Sequence, residues 1–258
     1  MTSETDTLNT TARPPVALVT GGGRGIGAAT SRLLAQQGWA VLVADIDEAA
    51  SAQIAAEITD AGGSAVAAQG DVASPADWQR MVSTARHHLG PISGLVANAA
   101  HNELATVDEL PEDSWNTIIR VNLSGTFSGI QACLPDLRAT SGSIVVVSSV
   151  HARFGIPLHA AYAATKSGLE GLTRQLAVEL GPNIRVNAVR PGPVFTAAWN
   201  DLSEFDRQRT ADATVMGRMG TPIEIAHPLA FLLGPDSSFI TGAVLTVDGG
   251  WSVAKDSA

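Results

Sequence analysis

The chain has 258 residues, of which 45% are hydrophobic and 16% are charged, and this balance favours a folded core over extended disorder. Its formal net charge of −9 argues against a basic surface for nucleic acid or for an anionic membrane, although backbone N–H groups alone can still hold phosphate. Cys133 is the single cysteine, which excludes an internal disulfide and leads us to expect the reducing environment of the cytoplasm.

The N-terminal residues are polar and acidic and lack the apolar core of a signal peptide. We therefore predict a disordered leader over residues 1–14 and a single domain over residues 15–258. Because no run of about 18 apolar residues follows, the sequence predicts no membrane span.

Beyond the leader, short apolar runs alternate with longer segments of helical period. The runs are almost continuously apolar, which is typical of strands buried on both faces of a parallel sheet. The predicted strands are Val16–Thr20, Ala40–Ala44, Ala65–Gly70, Ile92–Ala97, Ser143–Ser148, Arg185–Arg190 and Ala243–Val247. The predicted helices are Ile26–Gln37, Glu48–Ala61, Pro75–His88, Ser114–Leu137, Tyr162–Leu180 and Ile223–Leu233.

This alternation predicts an α/β fold, in which one Rossmann-like, doubly wound parallel sheet of about seven strands is flanked by helices. One segment, residues 195–219, is long, carries mixed charge and lies between the sixth strand and the last helix. We predict that it forms a lid over the substrate, because long insertions in compact domains are commonly functional.

A glycine-rich turn joins the first strand to the first helix, with the sequence TGGGRGIG over residues 20–27. Glycines permit a tight turn and a close approach to a pyrophosphate, while the helix N-terminus offers partial positive charge. The spacing of Gly21, Gly25 and Gly27 differs from the general G-x-G-x-x-G pattern. Its position directly after a buried strand nevertheless predicts dinucleotide binding.

Asp45 lies at the end of the second strand, eighteen positions after Gly27, where dinucleotide-binding domains place an acid that binds the adenosine ribose. Its alternative role is to cap the next helix. A carboxylate there would repel the 2′-phosphate of NADP, whereas Arg24 would attract it. In a partly dry site, the repulsion between the carboxylate and the 2′-phosphate should exceed the attraction of one flexible arginine. We therefore predict NAD, with NADP as the weaker alternative.

Tyr162 and Lys166 are four residues apart near the start of a predicted helix, so both side chains lie on one face. We expect the ammonium of Lys166 to lower the phenol pKa from its usual value of about 10. Such a pair is usually only helix surface. Here, however, Ser149 lies thirteen residues before the only tyrosine, at the predicted carboxyl edge of the sheet, where its hydroxyl can donate to a carbonyl oxygen.

With these motifs, residues 15–253 resemble the short-chain dehydrogenase/reductase family in its compact form. The resemblance rests on the order and spacing of TGGGRGIG, Asp45, Asp71-Val72, Asn98-Ala99-Ala100, Asn122, Ser149, YAATK, PGPVFT and VDGG. It implies a catalytic set made of Asn122, Ser149, Tyr162 and Lys166, in which Asn122 holds a water that links Lys166 to solvent.

The resemblance also implies where a cofactor binds: the adenine at Asp71 and Val72, and the nicotinamide ribose at Lys166. Asn98 would contact the neighbouring strand and the cofactor ribose. Val194 and Thr196 would hold the carboxamide. The full implied set is Gly21, Arg24, Gly25, Ile26, Gly27, Asp45, Asp71, Val72, Asn98, Tyr162, Lys166, Val194 and Thr196. Where the family usually has Asn-Asn-Ala-Gly, this chain has Ala97 to Ala100 as Ala-Asn-Ala-Ala, which puts a methyl group near the cofactor ribose.

The resulting hypothesis is an NAD(H)-dependent oxidoreductase that interconverts a secondary alcohol and a ketone. Tyr162 moves the proton as general acid or base and Ser149 stabilises the charge on oxygen. An NADPH-dependent 3-oxoacyl-carrier-protein reductase is the first alternative, disfavoured by Asp45 and by the acidic net charge. A non-catalytic nucleotide-sensing protein is the second, but it would not require the four catalytic residues together.

Apolar side chains after Ser149 and in the lid predict a medium-sized apolar or aromatic substrate, and they are Phe154, Leu158, Phe195, Trp199 and Leu202. Three histidines near the presumed cleft, His101, His151 and His159, are interpreted as pocket walls rather than catalysts. Arg153 is interpreted as an exposed side chain. No cluster has metal-ligand spacing, so we expect no metal.

The resemblance further implies a homotetramer. Helices Ser114–Leu137 and Tyr162–Leu180 would pack against the same helices of a partner, and small residues on both would permit a close approach.

Overall fold

A computed structural model describes residues 13–196 and 203–254 of the chain. The predicted leader, apart from its last two residues, lies outside the described residues. The strands are β1 Val16–Thr20, β2 Ala40–Asp45, β3 Ser64–Gln69, β4 Ile92–Ala97, β5 Ser143–Val147, β6 Arg185–Pro191 and β7 Val244–Val247. The helices are α1 Gly25–Gln36, α2 Glu48–Asp60, α3 Pro75–His88, α4 Glu112–Ile119, α5 Gly125–Thr140, α6 Ala160–Leu180, α7 Glu204–Asp212 and α8 Pro222–Leu233.

The seven strands form one parallel sheet in the order β3-β2-β1-β4-β5-β6-β7. The order reverses between β1 and β4, and open α/β sheets bind ligands in the crevice at the carboxyl ends of strands at such a switch point. The predicted fold class, a doubly wound parallel sheet in a single domain, is confirmed.

Both faces of the sheet are covered by helices, which explains the continuously apolar strands. On one face Trp78 of α3, Leu137 of α5 and Leu169 of α6 pack against the sheet. On the other face Leu34 of α1, Ile58 of α2 and Leu229 of α8 do the same. Each buried strand residue therefore contributes to one of two cores, and the strand ends are left to carry polar side chains.

The predicted helix Ser114–Leu137 is wrong as one regular α-helix. It begins earlier, at Glu112, and a π-helical turn over Arg120–Ser124 separates α4 from α5. The turn contains Asn122, which is fully buried, and π-helical turns inside helices often occur at functional sites. The hydrogen bonds that hold this residue are described with the site below.

The segment predicted as a lid is partly helical. Within its described part, α7 has no buried residue. The following turn returns to the C-terminal segment, where Met216 N donates to Gly249 O at 3.1 Å. Trp199 and Leu202 lie outside the described residues. Among the helices that the structure describes, none is both long and apolar enough to cross a membrane.

Candidate active site

The glycine turn between β1 and α1 is built by close backbone approach. Gly21 and Gly25 have φ angles of +61° and +54°, which glycine adopts without strain. A Cβ atom on Gly27 would stand 2.0 Å from the carbonyl oxygen of Gly21, so this position accepts only glycine. The side-chain amide of Asn98 locks the turn by donating to Thr20 O at 2.9 Å and to Gly21 O at 3.2 Å.

A cavity of about 550 Å³ opens beside this turn, at the switch point between β1 and β4. Six residues predicted to bind a cofactor line it together, namely Gly21, Arg24, Asp45, Asp71, Val72 and Asn98. The cavity also receives Ile46, Thr117 and Arg120, which the sequence reasoning did not single out. The lack of side chains at the glycines leaves room for a phosphate group against the backbone, so the residues fit a dinucleotide.

Asp45 is buried, and both of its carboxylate oxygens accept a backbone hydrogen bond. Oδ2 accepts from Gly23 N at 2.9 Å, and Oδ1 accepts from Asp47 N at 3.0 Å. Each oxygen keeps a second lone pair for a ligand. The helix cap that we considered as its alternative role belongs instead to Asp47, whose side chain accepts from Ala50 N.

Arg24 lines the cavity, but no buried contact fixes its side chain there. Its guanidinium pairs with Asp47 at 3.1 Å, and the side chain is 67% exposed. Because exposed ion pairs are weak, this arginine is free to move, whereas Asp45 is held by the main chain.

The other predicted cofactor residues lie on two sides of the turn. Thr196 faces the start of α1, since a Cβ atom on Gly25 would lie 3.5 Å from the methyl group of Thr196. Val194 is buried and forms a parallel bridge with Gly220. Ile26 packs against the core on the α8 side rather than lining the cavity. Ala100 lines the cavity with an ordinary negative φ, so the methyl group does not strain the backbone.

Ser149, Tyr162 and Lys166 come together at the carboxyl end of β5. Ser149 caps the short 3₁₀ turn that follows β5, and α6 carries the other two side chains. The ammonium of Lys166 lies 5.3 Å from the centre of the Tyr162 ring. It also donates to Val147 O at 2.7 Å, which ties the helix to the strand.

The expected lowering of the Tyr162 pKa by Lys166 is wrong for the protein chain alone. Burial raises the pKa of Tyr162 to about 12, and a side-chain hydrogen bond with Ser149 opposes that shift. Burial also lowers the pKa of Lys166 to about 8. Removal from water penalises the charged form of both groups.

Asn122 links the cavity to the lysine. Its Oδ1 accepts from His101 N at 2.7 Å, and its Nδ2 donates to His101 O at 2.9 Å and to Thr165 Oγ1 at 3.2 Å. His101 lines the cavity, and Thr165 immediately precedes Lys166. Asn122 thus joins the two halves of the site, and its side chain is held in the interior by the π-helical turn.

Two histidines stack beside the tyrosine. The ring of His151 meets those of His159 and Tyr162 edge-on, with centroids 4.2 and 5.3 Å apart. His159 Nδ1 is 2.7 Å from Pro157 O. Burial, followed by the nearby His159 and Lys166, lowers the pKa of His151 to about 4, so this imidazole is neutral at neutral pH.

A buried ion pair supports α6, and the sequence reasoning missed it. Glu170 accepts from Arg190 Nε at 2.7 Å and from Arg190 Nη2 at 2.6 Å, and also from Ser148 Oγ at 2.9 Å. Arg190 in turn donates to Thr246 Oγ1. Because the partners lie on α6 and on three different strands or strand ends, no short-range pattern in the sequence signals this pairing.

The predicted substrate wall is only partly assembled in the described residues. Phe154 packs edge-on against Trp251 with ring centroids 5.5 Å apart, so the segment after β7 contributes to this wall. Leu158 and Phe195 are each more than two-fifths exposed. Arg153 is exposed, as expected. In the described ranges, no three His, Cys, Asp or Glu side chains are grouped to hold a metal ion.

Most of the chain is similar to known proteins. A family model described as enoyl-(acyl carrier protein) reductase matches residues 21–252. A cyclohexanol dehydrogenase from Acinetobacter sp. (strain SE19) is 37% identical, covering 92% of this chain and 94% of that protein. A trans-4-hydroxycyclohexanecarboxylate dehydrogenase from Sinomonas cyclohexanicum is 38% identical, covering 91% of this chain and 92% of that protein.

Solved structures show the same likeness. The crystal structure of a short-chain dehydrogenase/reductase from Brucella melitensis, titled a glucose/ribitol dehydrogenase, superposes with a TM-score of 0.88. It is 32% identical and covers 93% of this chain and 97% of that one.

Proposed function

This chain belongs to the short-chain dehydrogenase/reductase family, and from that premise we propose that it interconverts a secondary alcohol and a ketone with NAD(H), using Tyr162 as general acid/base. Family membership makes it an oxidoreductase and implies a nicotinamide cofactor. The observation that carries the proposal is the convergence of Ser149, Tyr162 and Lys166 at the carboxyl end of β5. Asn122 connects them to the cavity beside the glycine turn.

When bound, nicotinamide supplies or accepts the hydride at the substrate carbon. Tyr162 gives its proton to the carbonyl oxygen in reduction and removes the hydroxyl proton in oxidation. Ser149 donates a hydrogen bond to the same oxygen and stabilises its developing charge. Lys166 holds a positive charge near the phenol and would hydrogen bond the nicotinamide ribose of a bound cofactor. Asn122 positions Thr165 and so the first two turns of α6, which carry Tyr162 and Lys166.

The substrate that we propose is a small carbocyclic secondary alcohol or its ketone. The relatives named above are dehydrogenases of cyclohexanol and of trans-4-hydroxycyclohexanecarboxylate. The edge-on pair of Phe154 and Trp251 offers an apolar wall for such a ring. We propose that the segment around residues 195–219 closes over the bound substrate. A cytoplasmic location remains a prediction from the composition of the chain.

The direct test is a screen of cyclic secondary alcohols and ketones with NAD⁺ and NADH, followed at the nicotinamide absorbance. Turnover of at least one carbocyclic alcohol supports the proposal. If the cofactor binds but none of these alcohols or ketones reacts, the assigned chemistry is wrong.

The description of the matching family model favours one competing candidate, a reductase of acyl-carrier-protein substrates. Such an enzyme must dock an acidic carrier, yet this chain has a net charge of −9, and like charges slow that association. Assaying an acyl-carrier substrate beside the cyclic ketones separates the two. Preference for the carrier substrate would replace our proposal.

We expect NAD(H) to be preferred over NADP(H), because the carboxylate of Asp45 is fixed by two backbone donors and faces the cavity. Desolvated like charges repel strongly there. In Asp45→Ser, the ratio of kcat/KM for NADP(H) to that for NAD(H) should rise at least about tenfold, which corresponds to one unfavourable charge contact of about 1.4 kcal/mol. Steady-state kinetics with both cofactors measure this ratio.

Glu48→Gln is the matched control for Asp45→Ser, since it removes an exposed carboxylate from the start of the next helix, α2. It should leave the cofactor ratio nearly unchanged because exposed charges are screened. A wild-type protein with the lower KM for NADPH would overturn the assignment of Asp45.

We also propose a homotetramer in which α5 and α6 meet the same helices of a partner. A shallow apolar groove runs between these helices, with Phe127 exposed at its side. A Cβ atom on Gly171 would meet nothing within 4 Å in its own chain, so the space above it suits another helix.

Gly171→Gln is expected to split the tetramer into smaller species, because the new side chain fills that space without clashing inside its own subunit. Light scattering coupled to size-exclusion chromatography gives the mass. Ala52→Gln, at an exposed position of α2 away from α5 and α6, is the control and should keep the wild-type mass. A monomeric wild type contradicts the proposal.

A further inference from the structure

One ring nitrogen of His151 lacks a hydrogen-bond partner in the described part of the chain. Its Nδ1 is buried and has no hydrogen-bond partner among residues 13–196 and 203–254. Buried polar atoms in folded proteins nearly always have a hydrogen-bond partner. An atom without one loses its hydrogen bonds to water on folding and gains none in exchange, which costs free energy. An orphan of this kind beside a reaction centre indicates that a ligand supplies the partner.

The position of His151 ties that partner to the substrate rather than to the adenosine end of a cofactor. His151 is two residues after Ser149 in the chain. Its ring lies edge-on to that of Tyr162, with 5.3 Å between the ring centroids. Asp45 and the rest of the adenosine-side residues belong to the cavity on the other side of Asn122, and His151 does not line that cavity.

The surroundings keep the ring neutral and so keep both hydrogen-bonding roles available. Among residues 13–196 and 203–254, the ionisable groups that face it are His159, Lys166 and Tyr162, none of which is a carboxylate. A neutral imidazole offers one N–H donor and one bare acceptor nitrogen. His151 can therefore meet a hydroxyl, a carbonyl or a carboxylate oxygen, according to its tautomer.

We propose that His151 is a specificity-determining residue whose Nδ1 hydrogen bonds a second oxygen group of the substrate, close to the carbinol that reacts at Tyr162. The substrate class is then a bifunctional ring, a cyclic diol or a hydroxy acid, in preference to a simple cyclic alcohol. This inference rests on the proposed dehydrogenase function and adds to it the polar half of substrate recognition.

The neighbouring backbone supports a built subsite. Leu158 has a φ of +70°, a conformation that is strained for a leucine. Its carbonyl accepts from Ala105 N at 3.2 Å, and His159 bridges to Ala105. These contacts hold His159, and through the ring stack His151, in one place, which a recognition group requires.

The experiment compares kcat/KM for cyclohexanol, cyclohexane-1,2-diol, cyclohexane-1,4-diol and 4-hydroxycyclohexanecarboxylate in the wild type, His151→Leu and His151→Asn. The wild type should prefer at least one bifunctional ring over cyclohexanol by about tenfold or more, the range of one good hydrogen bond. His151→Leu should bring that ratio close to one. His151→Asn should recover part of it, because the asparagine amide places a polar atom where Nδ1 lies.

His87→Leu is the matched control, because His87 stacks edge-on with His88 at 4.6 Å on the far end of α3. This variant should keep the wild-type ratio. Nitrogen-15 spectra of labelled histidine give a second readout that does not depend on turnover, with His151→Asn identifying the signal. The Nδ1 resonance of His151 should move when the preferred bifunctional ring is added to the wild type with NADH.

Turnover in which the ratios are the same for wild type and His151→Leu, or a His151 resonance that does not move, overturns this inference and leaves the dehydrogenase assignment standing. A wild type that prefers cyclohexanol overturns it as well. If no alcohol in the panel reacts, the proposed function and this inference both fail.

Discussion

Tyr162→Phe is expected to lower kcat/KM by about 10³-fold or more in both directions, because a positioned general acid/base contributes roughly 10²–10⁴-fold and no second tyrosine exists in the chain. The change removes one oxygen atom and keeps the ring that packs against His151. NADH binding, measured by its fluorescence, should stay within about twofold of wild type, since the loss concerns the reacting atoms.

The state of the phenol can be followed directly, because Tyr162 is the only group whose ionisation gives the near-ultraviolet absorbance of a phenolate. Without cofactor, burial holds its pKa at about 12, so the absorbance should stay flat through the usual value of about 10. Substantial residual activity in Tyr162→Phe, with an unchanged pH profile, would refute the role of this residue.

Glu170→Gln is expected to lower the free energy of unfolding by about 3–5 kcal/mol, which is the cost of leaving one partner of a buried ion pair uncompensated. The carboxylate of Glu170 pairs with Arg190, which is almost fully buried. The same carboxylate also accepts a hydrogen bond from Ser148. Urea unfolding of the cofactor-free protein measures the change.

Two variants test the reason for that loss. In Glu57→Gln, the exposed pair with Arg32 on the α1–α2 surface is removed, and stability should change little because solvent already screens it. Replacing both partners, with Glu170→Leu and Arg190→Met, should cost less than Glu170→Gln alone, since no isolated charge remains. A double variant less stable than the single one contradicts the explanation.

The sequence was sufficient for the sheet because burial of the five central strands on both faces leaves a local signal. Each strand reads as an apolar run, and each is present in the structure within one or two residues of its predicted bounds. The glycine turn, Asp45 and Ser149 were found for a related reason: strand ends at one edge of a parallel sheet carry their polar residues side by side.

The features that could not be predicted from the sequence depend on residues that are far apart in the chain. The π-helical turn at Asn122 is held by His101 and Thr165, which are 21 and 43 residues away. The pKa of Tyr162 rises because of burial, and burial is a property of the whole fold rather than of the four-residue spacing to Lys166. Glu170 and Arg190 pair across a helix and a strand, and neither residue has a diagnostic neighbour.

The π-helical turn determines which face of α5, the helix that follows it, packs against the core. One additional residue in a helix rotates everything that follows by about 100° around the axis. That rotation points Gly129 at Trp78, where a Cβ atom would come within 2.3 Å of the indole, and Gly125 at the carbonyl of Val72. The number of residues between Ile118 and Gly129 is therefore constrained more tightly than their identity, and a deletion of a single residue there would turn bulky side chains into the indole.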